Sequence, residues 1–165
     1  RDFRRSRGLG DVYKRQRSHE IREIMETIYD KKEKFISRGD NSGTHMKELS
    51  LWKELALVPE EFPKTWYLET GSGQGATLMI ANELGAFTIT DTATWYSFKN
   101  KGESEIVGYD SKDLNTYAIT TVNPKKCENV KSSAVEKIVT FLKSDNGKST
   151  ISKFRLDNAK AFFPI

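Results

Sequence analysis

The stretch Phe35-Ile-Ser-Arg-Gly-Asp-Asn-Ser-Gly-Thr44 decides how the rest of this sequence is read. Phe35 and Ile36 have the character of a short buried strand, and the residues from Ser37 to Gly43 are turn formers. From Thr44 the apolar positions Met46, Leu49, Trp52 and Leu55 step by three, which predicts a helix to about Leu57 with Ser42 as its cap. A strand that turns sharply into a helix exposes backbone N–H groups without intrahelical partners, at the positive end of the helix dipole. Such an end attracts anions, and Arg38 brings a rigid fork of donors to the same turn. The same residues also fit an ordinary capped helix beside a surface arginine. An adhesive reading of the Arg-Gly-Asp at 38–40 is weaker, because that tripeptide is common by chance.

A chain of 165 residues can bury the core of one ordinary domain. Its 36% hydrophobic and 30% charged content describes a rather polar globular protein. No stretch approaches the roughly 18–20 apolar residues of a membrane helix, and the first residues do not read as a signal peptide. The single cysteine, Cys127, rules out an internal disulfide and a thiolate-rich metal site, and reads as an inert, semi-buried thiol.

The net charge of +4 is unevenly spread. Residues 1–17 hold seven basic and two acidic side chains, a charge of +5, so the other residues sum to −1. A nucleic-acid binder carries its basic surface on the folded body, and none is expected here. Residues 1–17 read as a basic arm, disordered or non-native. The wording Gly8-Leu-Gly-Asp-Val-Tyr-Lys-Arg-Gln16 resembles a read-through segment found at the edges of reading frames in assembled environmental DNA, so the chain is expected to be a fragment.

An amphipathic helix is predicted over 18–34, with Ser18 as cap and Ile21, Ile24, Met25 and Ile28 on one face. Past Pro59 and Pro63, residues 66–69 are β-prone and lead into Thr70-Gly-Ser-Gly-Gln-Gly75. The helix expected after it, from Ala76 to Leu84, closes at Gly85. This glycine loop matches neither the dinucleotide pattern nor the Walker pattern with its lysine, and a plain tight turn is the favoured reading. Strands follow at 87–90, 105–107 and 117–122, with a helix over 93–98 capped by Asp91. A last helix starts at Ser132 and ends near Asp145-Asn-Gly147, leaving Ile151, Phe154, Phe162 and Phe163 to be buried. Alternation at this spacing predicts an α/β sheet.

Three strand-to-helix turns therefore share one design: 37–44, 70–75 and 91–94. In open α/β sheets ligands bind where such turns converge, at the carboxyl ends of the strands. The first two offer hydroxyl groups, glycines and free N–H groups, which suit a compact anion; in the third, Asp91 repels an anion unless its carboxylate caps the helix. Catalytic sets do not assemble. His19 and His45 are the only histidines, His45 fits a solvated helix position, and Glu60 and Glu61 lie in a Pro-bounded loop. A phosphoryl-transfer enzyme on the same anion cradle is the alternative of another class, and it lacks the Walker lysine and an evident acid or base.

The residues 35–45 and Lys47-Glu-Leu-Ser-Leu-Trp-Lys53 resemble the tungstate-binding proteins of bacterial ABC importers. So do Trp66-Tyr-Leu-Glu-Thr-Gly71, Gly75-Ala-Thr-Leu78, Ala81-Asn-Glu83, Thr90-Asp91, Thr94-Trp95, Val122-Asn-Pro-Lys125 and Phe162-Phe-Pro164. The resemblance covers about residues 18–165. It implies a type II periplasmic-binding-protein fold: 18–116 as the second α/β lobe, and 117–165 as the C-terminal segment returning to the first. Three positions depart from the family pattern, with Thr92 in place of Arg, Thr116 of Pro and Ala118 of Gly. By this resemblance Arg38, Ser42, Gly43 (through its N–H) and Thr44 contact the oxyanion, with Thr70 and the glycine loop of second rank. It implies tungstate or molybdate as ligand, no cofactor, no metal beyond the tungsten oxyanion, and no catalysis. It also implies a periplasmic or extracytoplasmic place, a permease subunit as partner, and contact with membrane only through that permease or a lipid anchor. Sulfate and phosphate carriers are the nearest rivals.

Overall fold

Short apolar runs between helices pair as parallel strands because each is returned to the same end of the sheet by a helix. In the computed structural model, which describes residues 21–110 and 116–164, the chain falls into two units, 1–113 and 114–165. The basic arm and the Ser18 cap lie outside the described residues.

In the first unit, helix α1 (Ile21–Lys31) buries Ile24, Met25 and Ile28 on one face. It ends at Lys32, which takes the left-handed conformation while its ammonium lies 3.5 Å from the centre of the Tyr29 ring. Strand β1 (Phe35–Ser37) pairs in parallel with β2 (Tyr67–Glu69), Phe35 opposite Tyr67 and Ser37 opposite Glu69. On its other side β1 meets the 87–90 segment, where a single bridge joins Phe35 to Phe87 in place of the expected full strand. Thr88 leaves the ladder there and donates its hydroxyl to the Ile36 carbonyl, at 2.8 Å. Residues 105–107 form no strand.

Helix α2 (Gly43–Glu54) follows β1, a 3-10 turn spans Pro59–Glu61, and α3 (Gln74–Leu84) follows β2. The core is aromatic. Phe35 stacks on Tyr67 at 5.8 Å, and Trp52, fully buried, meets Phe35, Phe62, Trp66 and Tyr67 edge-on. The buried face of α2 is His45, Glu48, Leu51 and Trp52, while Met46 is exposed. A stride of three falls behind a helix of 3.6 residues per turn by about 60° a step, so the apolar series does not stay on one side. His45 is thus a buried residue rather than a solvated one. Gly85 closes α3 in the left-handed conformation as expected, but α3 buries Gln74, Thr77, Leu78 and Ala81 and leaves Met79, Ile80 and Leu84 exposed. A short helix, α4 (Thr92–Ser97), completes this unit.

The second unit carries α5 (Ser132–Lys143) and α6 (Asp145–Lys153). Asp145-Asn-Gly147, expected as a stop, opens α6 instead. Ser144 ends one helix and caps the next: its N–H reaches the Thr140 carbonyl at 3.1 Å, and its hydroxyl accepts from the Gly147 N–H at 3.2 Å. Leu156 and Ala159 exchange both backbone hydrogen bonds across Asp157 and Asn158, two left-handed residues, as a two-residue hairpin turn requires. The strand expected at 117–122 does not form, and Tyr117, Ile119 and Val122 are exposed. Phe154 and Phe163 are exposed as well, and so is the Cys127 thiol.

Candidate anion site

The parallel pairing of β1 and β2 brings the turns that follow them to one edge of the sheet. The first turn is shaped by two left-handed residues, Gly39 and Asn41, at φ of 60° and 57°. Side chains hold its backbone in place. The Ser37 hydroxyl accepts from the Gly39 N–H at 3.2 Å, and Asp40 accepts from the Ser42 N–H at 3.1 Å. His45 accepts from the Asn41 N–H on Nδ1 at 3.0 Å, and the Ser42 hydroxyl accepts from the His45 N–H at 3.4 Å, the cap expected from the sequence. With Nδ1 an acceptor, His45 carries its proton on Nε2, a buried atom without a partner among the described residues. The N–H groups of Gly43 and Thr44 form no hydrogen bond among those residues, so they remain open donors at the head of α2.

Arg38 links this turn to the start of α3. One terminal nitrogen pairs with the Asp40 carboxylate, the other donates to Gln74 Oε1 at 3.0 Å, and Nε is buried and unpartnered. Hydrogen bonds from Ser42 and the adjacent Arg38 guanidinium hold the Asp40 carboxyl at about 2, below its ordinary 3.8. Asp40 therefore stays ionised, and its charge partly balances the guanidinium.

The second turn is stitched to the first. The Thr70 N–H donates to the Ser37 carbonyl at 3.0 Å, and the Thr70 hydroxyl lies 3.3 Å from that carbonyl and 3.2 Å from the Thr77 hydroxyl. It also accepts from the Ser72 N–H at 3.2 Å. Thr70 thus ties the two turns together with a hydroxyl engaged on several sides. Gly71 takes a φ of 61°, and a methyl placed on Gly71, Gly73 or Gly75 would meet open space. Gly73 caps α3 from outside without a side-chain hydrogen bond, leaving further N–H groups open at its head. Gln74, which begins α3, is buried and spans Arg38 and the Ile89 carbonyl, the latter at 2.8 Å. In the third turn both carboxylate oxygens of Asp91 serve Thr94, taking its N–H at 2.8 Å and its hydroxyl at 2.6 Å. That carboxylate is engaged in capping.

The structure accordingly gathers Arg38, Ser42, Gly43 and Thr44 in one turn and sets Thr70 beside it as a tie. Sequence reasoning passed over Asp40, took His45 for a solvated residue, and put forward the 70–75 loop without singling out Gln74. Asp40 two residues before Ser42 is the spacing of an Asx turn, which was readable. Gln74 gave no local signal, because its partners lie 36 and 15 residues away. Below this site sits Glu48, buried, accepting from Tyr67 Oη at 2.7 Å and Trp52 Nε1 at 3.4 Å. Burial pushes its carboxyl upward, against these hydrogen bonds, and burial also raises the Tyr67 hydroxyl, which stays a donor.

Known proteins share this architecture. A tungstate-binding protein of Campylobacter jejuni is 37% identical over 147 residues, covering 86% of this chain and 54% of its own. The solved tungstate-binding protein of Desulfovibrio alaskensis superposes with a TM-score of 0.71 at 35% identity, over 86% of this chain and 58% of that one. The tungstate ABC transporter structure from Geobacter sulfurreducens gives 0.66 at 31%, over 83% and 57%. The chain thus spans little more than half the length of each. The PBP superfamily domain model matches residues 17–146. On that match, and with α/β turns of this design at one sheet edge, the chain belongs to the PBP superfamily.

Proposed function

We propose that this chain is part of an extracytoplasmic solute-binding protein that captures an oxyanion, tungstate or molybdate, for an ABC importer. The observation that carries the reading is the 37–44 turn, where a clamped guanidinium stands beside the unpartnered N–H groups of Gly43 and Thr44. Neutral N–H donors, hydroxyls and one arginine suit a compact, fully ionised oxyanion, since they stabilise charge without offering a proton. The similar proteins are named for tungstate binding and for a tungstate ABC transporter, which favours this cargo and a permease partner. We read the chain as a binder rather than an enzyme and assign it no cofactor, the anion being cargo. In a type II fold, residues 18–116 make one lobe and this turn one wall of the cleft, which closes by a hinge.

Calorimetric titration of tungstate, molybdate and sulfate tests this. It uses the 165-residue chain and a chimera supplying the part of the Campylobacter protein that the chain does not match. Tungstate or molybdate binding to the chimera, lost in Arg38→Ala with an unchanged melt, is the expected result. Retained affinity in Arg38→Ala overturns the site, and preference for sulfate overturns the cargo.

A further inference from the structure

We propose that Gln74 is the positioning residue of this anion site, fixing the Arg38 guanidinium between the first two helix heads; this rests on the oxyanion reading above. The side-chain amide of Gln74 has only one orientation that serves both its neighbours. Its Nε2 donates to the Ile89 carbonyl at 2.8 Å, so its Oε1 must face Arg38, where it accepts at 3.0 Å. A guanidinium has no acceptor and a carbonyl no donor, so the reverse orientation would break both of the Gln74 bonds. The amide is buried, and its backbone starts α3, so the bond carries the register of the 70–75 turn onto a side chain of the 37–44 turn.

Asp40 and Gln74 then divide the work on one planar group. Asp40 holds one terminal nitrogen from within the Arg38 turn, with a charge. Gln74 holds the other from the neighbouring turn, without a charge. Two anchors on different nitrogens stop the plane from rotating about its Nε–Cζ bond. The neutral anchor does so without adding a second negative group beside an incoming anion. A guanidinium held in one plane loses less freedom when it binds, which is the general source of preorganised affinity. Gln74 acts through Arg38 and not on the anion itself.

The test reads rotation and affinity separately. In the 165-residue chain without anion, the side-chain nitrogen resonances of Arg38 are expected to show slow guanidinium rotation, and Gln74→Leu to speed it several-fold. Gln74→Glu keeps an acceptor and should keep rotation slow, while its added charge weakens tungstate binding. In the chimera, Gln74→Leu should weaken tungstate binding by about tenfold, the scale of one hydrogen bond to a charged group. If Gln74→Leu fails to show the wild-type melt, Gln74→Met, of similar length, carries the same two readings. Unchanged rotation in the apolar variant overturns the proposal, as does faster rotation with unchanged affinity. Full affinity in Arg38→Ala would instead refute the assignment of the anion site to Arg38, leaving the rotation measurement, which needs no anion, to decide on Gln74.

Discussion

Gly39 is the residue on which the anion turn depends most directly. Its φ of 60° is left-handed, and a methyl there would stand 2.9 Å from the Glu69 Cβ on the neighbouring strand. Strain and contact act together, so Gly39→Ala should lower stability by about 1–3 kcal/mol and lower the thermal midpoint. Calorimetric melting measures it. Glu48 makes a second prediction, with a definite sign. Burial raises its carboxyl above the ordinary 4.5, so the folded state holds that proton more tightly than the unfolded chain. Its contribution to stability is full below the unfolded value and is lost as pH rises through the higher folded one. Glu48→Gln keeps an oxygen for Tyr67 and cannot ionise. Urea midpoints at pH 5 and pH 8 should therefore differ less in that variant than in the parent, with the variant equal or more stable at pH 8.

Among the elements, α2 and the α5–α6 corner are the instructive ones. The inner face of α2 combines Trp52 and Leu51 with His45, which accepts from the Asn41 N–H on Nδ1, and Glu48, which accepts from Tyr67. An apolar-only reading of that helix selects a neighbouring stripe. At the corner, Gly147 lies within the first turn of α6, against the end of α5. A methyl on Gly147 would fall 2.0 Å from the Phe141 carbonyl oxygen. Alanine within a helix ordinarily stabilises by about 1 kcal/mol over glycine. Here Gly147→Ala should do the opposite, separating α5 from α6 with a loss of helical circular dichroism on mild heating.

For the whole molecule, burial is unequal between the two units. The nine residues of the buried cluster, from Ile24 to Tyr67, all belong to the first unit. In the second, Gly147 is the one described residue that is buried, while Tyr117, Ile119, Ile138, Phe141, Phe154 and Phe163 are exposed. Amide exchange protection should therefore concentrate in β1, β2 and the buried faces of α1–α3, with residues 116–164 exchanging far faster. Exposed apolar surface of this kind also favours self-association. Sedimentation of the chain should depend on concentration, and a monomer with uniform protection would contradict both expectations.

What the sequence determined by itself was local. The strand that turns into a capped helix at 35–44, the caps at Ser42 and Asp91 and the glycine stop at Gly85 were all readable. Each is decided by residues within four positions of one another. The ordered motifs also carried the superfamily and the α/β class. Tertiary structure alone decided which polar groups went inside and which β-prone runs became strands. Glu48 is buried because Tyr67, 19 residues on, supplies a hydroxyl to its carboxylate. The runs at 105–107 and 117–122 stay irregular because a strand needs a partner strand along its length, and the sheet among the described residues is made of β1 and β2. The bond between Arg38 and Gln74 exists because parallel pairing of β1 and β2 brings two distant turns to one edge. No local pattern of residues encodes that meeting.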